Sequence, residues 1–191
     1  YAYTDSSVIV KQFDEQTVEG FATGMVGVIE FGFDTKGYVS RSIRGLTSEE
    51  QYVYTYDYDR KGRMIQATYT PQLYIQASWN KQDDITELRK YREGELVETR
   101  RYQYDKKVNP QKGLGVGVAN LFHVTDIPNW FTVHNVTQVA YERHGQGEDY
   151  VLNYRYDYST EGLPLRRYIT KAEGEAVLET TFMYQCEEVE Q

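Results

Sequence analysis

The chain has 191 residues, room for one domain of ordinary size or two small ones. It carries 21 basic against 29 acidic residues, a net charge of -8, which argues against the basic surface a nucleic-acid binder needs. No run of about 18 apolar residues occurs, so no transmembrane segment of helical type is expected, and the acidity reads as an aid to solubility.

Tyrosine is over-represented, with 19 residues against 7 Phe and 2 Trp. An aromatic ring with a polar tip suits a half-buried pleated surface. The composition therefore points to β-sheet with one-sided burial and not to a thick aliphatic core. The lone cysteine, Cys186, has no intramolecular disulfide partner. With Phe182 and Tyr184 at alternate positions, it reads as a small packed hydrophobe. The chain opens on Tyr1 and not on Met, as removal of a targeting segment would leave it.

Tyr3 to Phe13 alternates loosely and predicts a first strand, followed by a polar connection at Asp14-Glu15-Gln16. Gly24 to Phe33 is apolar, and Gly24, Gly27 and Gly32 weaken a helix, so a strand with a bulge or close backbone contact is expected. Asp34-Thr35-Lys36-Gly37 then makes a turn, which Asp starts through its side chain and Gly completes with positive φ. Tyr38 to Arg44 returns as a strand, and Gly45 to Glu50 is a polar connection. Tyr52, Tyr54, Tyr56 and Tyr58 place an aromatic at every second position, and Asp59-Arg60-Lys61-Gly62 repeats the turn. Met64 to Thr70 returns and stops at Pro71, which cannot donate to a ladder. Leu73 to Trp79 is the next strand. Its turn has Asn80 in the place of Asp59 and Asp83 in that of Gly62, and Asp tolerates left-handed geometry better than most residues. Ile85 to Tyr91 returns, Arg92-Glu93-Gly94-Glu95 is a hairpin turn, and Leu96 to Tyr104 follows.

Tyr104-Asp105-Lys106-Lys107 opens a fourth copy of the turn but continues as Val108-Asn109-Pro110, without glycine. Gly113 to Phe122 is apolar and glycine-laced, either a short helix or a packed loop, and Ile127-Pro128-Asn129-Trp130 is turn-like. A sheet needs one face covered. Residues 108–130 are therefore expected to be an insertion between repeats, with an apolar loop or helix near 113–130 plugging that face. Val133 to Arg143 resumes as a strand. Tyr150 to Tyr158 repeats the alternation, Ser159-Thr160-Glu161-Gly162 closes a fifth copy, Leu165 to Lys171 returns, and Val177 to Cys186 is the last strand. The turn positions Asp34, Asp59, Asn80, Asp105 and Ser159 lie 25, 21, 25 and 54 residues apart, the sign of a β-meander or repeat array.

Two of these units, Tyr54-Thr55-Tyr56-Asp57…Gly62-Arg63 and Tyr154-Arg155-Tyr156-Asp157…Gly162, resemble tyrosine-aspartate (YD, Rhs-type) repeats. The whole is also similar to a family of secreted lipoproteins of Bacteroides-type bacteria with YD-like strands. The residues that carry this likeness are Tyr102-Gln103-Tyr104-Asp105-Lys106-Lys107-Val108-Asn109-Pro110, the strand at Asn135-Val136, and the late copy ending in Gly162 and Pro164. The resemblance covers Phe31 to Tyr184. It implies an extended antiparallel sheet and an exported location, periplasmic or at the cell surface, with a lipid anchor upstream of Tyr1. It implies no catalytic residues.

Motifs with a chemical mechanism are sparse. No Walker loop, Rossmann fingerprint, HExxH, paired CxxC or GxSxG is present. Gly113-Leu114-Gly115-Val116-Gly117 lacks the Lys-Ser/Thr that a phosphate loop needs. His123, His134 and His144 are scattered and read as surface or hydrogen-bonded residues, not as metal ligands. Asp57 with Asp59, and Asp83 with Asp84, read as turn initiators and solvated edges, because the alternating oxygens of a calcium loop are missing. Asn135-Val136-Thr137 matches a glycosylation acceptor by chance. No catalytic residue, metal or cofactor is expected.

The aromatic rows read as cross-strand pairs, each stabilising a sheet by about 0.2–1 kcal/mol. Trp79 and Trp130 are the least redundant aromatics and are the candidate ligand-binding residues. Asn153, Arg155 and Asp157 mark a solvated opposite face. The expected fold is a single all-β domain over 1–191: an extended, curled antiparallel β-meander of about ten or more strands, open and not closed into a barrel. The expected function is that of a non-catalytic exported interaction or scaffold module, with a polysaccharide or another envelope protein as partner and no nucleic acid. The alternative is a carbohydrate-binding accessory module or a carbohydrate-active enzyme.

Overall fold

An alternating segment has one row of side chains to bury and one to solvate, and a pleated strand separates the two. The structure, a computed structural model, describes residues 2–3, 7–13, 17–18, 21–22, 25–36, 38–45, 52–110, 112, 131–171 and 174–184. The strands are β1 (Ala2–Tyr3), β2 (Ser7–Phe13), β3 (Thr17–Val18), β4 (Phe21–Ala22) and β5 (Met25–Phe33). They continue as β6 (Val39–Gly45), β7 (Tyr52–Tyr58), β8 (Met64–Thr70), β9 (Leu73–Trp79) and β10 (Ile85–Arg92). The last five are β11 (Glu95–Val108), β12 (His134–Arg143), β13 (Tyr150–Tyr158), β14 (Pro164–Lys171) and β15 (Val177–Thr181).

Among the described residues, β1, β2 and then β5 to β15 form one 13-stranded antiparallel sheet in chain order, while β3 pairs with β4. The sheet is open, with β1 and β15 at its ends. The all-β antiparallel meander expected from the alternation is therefore the observed architecture.

Three details differ from the expectation. Tyr3 to Phe13 is not one strand: Ala2 pairs with Ile9 and Tyr3 with Val8, so the chain doubles back. The intervening Thr4-Asp5-Ser6 consists of turn-favouring residue types. The fourth turn does not form, and β11 continues through Asp105-Lys106-Lys107 as an irregular stretch of a 14-residue strand. Here the Asp105 carboxylate accepts the Lys107 N–H at 2.8 Å and the Asn135 N–H of β12 at 3.3 Å, so it braces an irregular stretch of ladder. The last strand stops at Thr181. Cys186, His123, the expected plug at 113–130 and Trp130 lie outside the described residues.

Four turns share one geometry. The backbone N–H of Asp34, Asp59, Asn80 and Ser159 donates to the carbonyl four residues on, at 2.8–2.9 Å. The first side chain braces the loop from inside. Asp59 Oδ1 accepts from Lys61 N and Arg63 N at 2.8 and 3.0 Å, and Asn80 Oδ1 accepts from Gln82 N and Asp84 N at 2.8 and 2.9 Å. The left-handed position falls at Gly62, Asp83 and Gly162, with φ of 78°, 62° and 84°.

The buried face carries Tyr54, Tyr56, Met64, Ala67, Ile75, Leu88, Tyr102, Val139, Tyr141, Leu152 and Tyr154. The other face is hydrophilic. Gln76 bonds Gln66, and Gln103, Gln138 and Asn153 form a chain of amide bonds at 2.9 Å. Arg101 bridges Glu87 and Glu142 across three strands. Val53 and Ile65 are the half-exposed apolar exceptions near its centre.

Candidate functional site

Four aromatics at or near the ends of outward strands reach sideways and donate to the first residue of the preceding return strand. Tyr58 Oη donates to Val39 O at 2.8 Å, Trp79 Nε1 to Met64 O at 2.8 Å, Tyr104 Oη to Ile85 O at 2.6 Å, and Tyr184 Oη to Pro164 O at 2.7 Å. These bonds satisfy carbonyls next to turns, where the ladder runs out. Trp79 therefore occupies the same position as three tyrosines. Its N–H is committed to Met64, and the Arg63 guanidinium lies 5.7 Å from its ring centre. Arg63 also joins adjacent turns, pairing Asp59 at 2.7 Å and Asp83 at 3.2 Å. The Arg63 backbone N–H, and then its guanidinium, hold the Asp59 carboxyl below its ordinary pKa.

Where the repeat is interrupted, side chains replace the missing turn. Asp84, read from the sequence as a solvated turn carboxylate, is only 2% exposed. It accepts the backbone N–H of His134 at 3.0 Å and faces His134 Nδ1 at 2.8 Å. Its neighbour Asp83 takes the turn position, so the Asp84 side chain is left on the inward side. Tyr158 has Asp105 Oδ2 as its acceptor, and desolvation followed by that carboxylate raises its pKa. Asn135 Nδ2 donates to Lys107 O at 3.2 Å and to Tyr158 Oη at 3.3 Å. Asn109 Nδ2 donates to Thr132 O at 3.1 Å. This network ties β11, β12 and β13 together where the turn is missing.

A different arrangement sits at the opposite end of β10, β11 and β12. Lys90 pairs with Glu98 but Tyr91 with Leu96, so Val97 is an extra residue, a β-bulge. The His144 N–H donates to the bulged Val97 carbonyl at 3.1 Å, and the His144 ring meets Thr99 Oγ1 at 2.9 Å. A cleft of about 290 Å³ opens there, lined by Lys90, Arg92, Val97, Glu98, Arg143, His144 and Gln146.

Glu98 is 2% exposed, with Arg100 Nε on Oε1 at 2.5 Å and Arg143 Nη1 on Oε2. Arg100 and Arg143 also lie over the Tyr141 ring, at 5.2 and 6.0 Å from its centre. Lys90 and Arg92 have no ion-pair partner among the described residues. Desolvation lowers the pKa of Lys90. Glu98 opposes that shift, and repulsion from Arg100, Arg92 and Arg143 adds to it. Four cations thus gather about one carboxylate in a chain of net charge -8.

Of the two sequence-selected tryptophans, Trp79 is placed on the Met64 carbonyl, and Trp130 lies outside the described residues. Of the cleft residues, the sequence drew attention to His144 alone, and there it read as a surface or hydrogen-bonded residue. The available signal was a charged run in an inward-facing row: Glu98 and Arg100 occupy the register that Tyr102 and Tyr104 continue. Among the described residues no three His, Cys, Asp or Glu side chains converge as metal ligands would.

No protein-family model matches the chain, and no curated protein matches it in sequence. In fold it is similar to a porin-like protein from Bacteroides vulgatus ATCC 8482, with a TM-score of 0.59 and 11% identity over 96% of this chain and 86% of that one. It is also similar to a porin-like protein from Bacteroides uniformis ATCC 8492, with a TM-score of 0.53 and 10% identity over 80% of this chain. The match spans 66% of that second protein. At these identities the likeness concerns the fold: one antiparallel all-β sheet shared with Bacteroides porin-like proteins.

Proposed function

We propose that the chain is a non-catalytic, exported module of the bacterial envelope, possessing a water-facing sheet that acts as an interaction or scaffold surface and not as a pore wall. Lipid anchoring upstream of Tyr1 belongs to the same reading. The fold it shares with Bacteroides porin-like proteins supports an envelope setting. The observation that carries the proposal is the polarity of the two faces. A bilayer-spanning barrel turns an apolar band about 25 Å tall outward and keeps its interior polar. Here the aromatic and aliphatic rows are buried, and the opposite face carries the amide chain Gln103–Gln138–Asn153 and the Glu87–Arg101–Glu142 bridge. An Arg or Lys at the midplane of a lipid-facing surface costs about 2–4 kcal/mol, and an acidic side chain less but still a penalty, so this face belongs in water.

The test has two parts. The purified chain is expected to stay monodisperse without detergent and to produce no conductance steps in planar bilayers. Fractionation of the native bacterium is expected to recover the protein with the envelope or periplasm. Stable conductance would overturn the non-pore reading, and recovery in the cytosol would overturn export.

A further inference from the structure

We propose that the cleft at the Val97 bulge binds an anionic sugar: a monosaccharide-sized, hydroxyl-rich ligand bearing a carboxylate or a sulfate. This names a ligand class for the interaction module above, but the binding test does not depend on cellular location. The argument begins with charge. Arg100 and Arg143 already neutralise Glu98, so the buried carboxylate does not account for Lys90 and Arg92. Placing two further cations beside that pair is unfavourable in itself, and Lys90 is partly desolvated there. An incoming anion relieves both the repulsion and the desolvation.

The chemistry of the lining narrows the class. Arg92 lines the cleft and is exposed, and its planar fork matches a carboxylate or sulfate with two parallel hydrogen bonds. Lys90, half-buried in the lining, adds a compact charge. The Gln146 amide and the His144 ring supply further hydrogen-bonding groups, while Val97 is the lone apolar side chain of the lining. Such a wall suits hydroxyl groups and offers little to an apolar ligand. The volume, about 290 Å³, accommodates one sugar ring and its charged substituent.

The experiment is a 1H–15N NMR titration of the purified protein with glucuronate, glucose 6-sulfate, glucose and inorganic sulfate. The spectrum of each variant also reports whether it is folded. Glucuronate or glucose 6-sulfate is expected to shift the amides around Val97 and His144 with a Kd of about 0.1–1 mM. Glucose is expected not to bind, and inorganic sulfate to bind at least about tenfold more weakly than the better sugar acid. Arg92→Ala and Lys90→Gln should each weaken that sugar acid by about tenfold or more. Arg89→Ala, on the solvated face of the same strand, should leave it unchanged.

The two anionic sugars distinguish a carboxylate ligand from a sulfate ligand. No shifts with either would overturn the proposal. So would inorganic sulfate binding as tightly as both, since that marks a simple anion hole. Equal losses in Arg89→Ala and Arg92→Ala would overturn it as well, because they would reflect general charge and not this cleft.

Discussion

Asp83 adopts the left-handed backbone that its sister turn assigns to Gly62, so the motif tolerates a side chain in one copy and not in another. The difference is the neighbour. A Cβ at Gly62 would strike the ring and hydroxyl of Tyr38, which stacks on Tyr58 with ring centres 5.1 Å apart. A Cβ at Gly94, where φ is 84°, meets nothing within 4 Å. Gly94→Ala is therefore expected to cost about 1–2 kcal/mol, the left-handed penalty alone. Gly62→Ala is expected to cost about 1 kcal/mol more, because Tyr38 must also leave its stack. Urea unfolding of both variants provides the comparison, and equal losses would show that Tyr38 moves aside freely.

The element-scale unit is a hairpin whose terminal aromatic is fastened to the hairpin before it. A buried carbonyl left without its donor costs about 1–3 kcal/mol, more than the net worth of the bond. Tyr104→Phe keeps the ring and deletes the bond to Ile85 O, so it is expected to destabilise the sheet by about 1–2 kcal/mol. Tyr74→Phe is the control. Tyr74 stacks on Tyr91 with ring centres 4.8 Å apart, and its hydroxyl has no hydrogen bond among the described residues. It should lose less than about 0.5 kcal/mol. Similar losses in denaturant melts of the two variants would argue that the fastening bond contributes nothing.

Across the whole molecule, the tyrosine-rich face makes the fold sensitive to alkali. Burial pushes the phenols of Tyr56, Tyr102 and Tyr104 well above their ordinary value, and that of Tyr156 up to about 12. The unfolded chain ionises near pH 10 while the folded sheet keeps these protons. The stability they contribute is complete below pH 10 and falls as pH rises toward the folded values, by about 1.4 kcal/mol per pH unit for each phenol. Ultraviolet titration is expected to show exposed tyrosines ionising near pH 10. The buried set should ionise later and together, as circular dichroism reports unfolding between about pH 10 and 12. If all tyrosines titrated near pH 10 with the sheet intact, the buried face would not be sealed.

The sequence by itself determined the strands, most of the turns and the open meander, because alternation and turn chemistry act over a few residues. Asp59 braces Gly62 three residues away, and the same local logic made Asp83 readable as a left-handed position. Whatever depends on which strands lie side by side was decided by the tertiary structure. Asp105 looked like a turn initiator, but Asn135 across the ladder takes its carboxylate and the strand runs on. Asp84 faces inward because His134, 50 residues later, arrives beside it. Trp79 stood out by its rarity and proved to share a fastening position with three tyrosines. Lys90, Glu98, Arg143 and His144 form no spacing motif. Antiparallel register and one extra residue at Val97 bring them to a single cleft, and neither is encoded by residues adjacent in sequence.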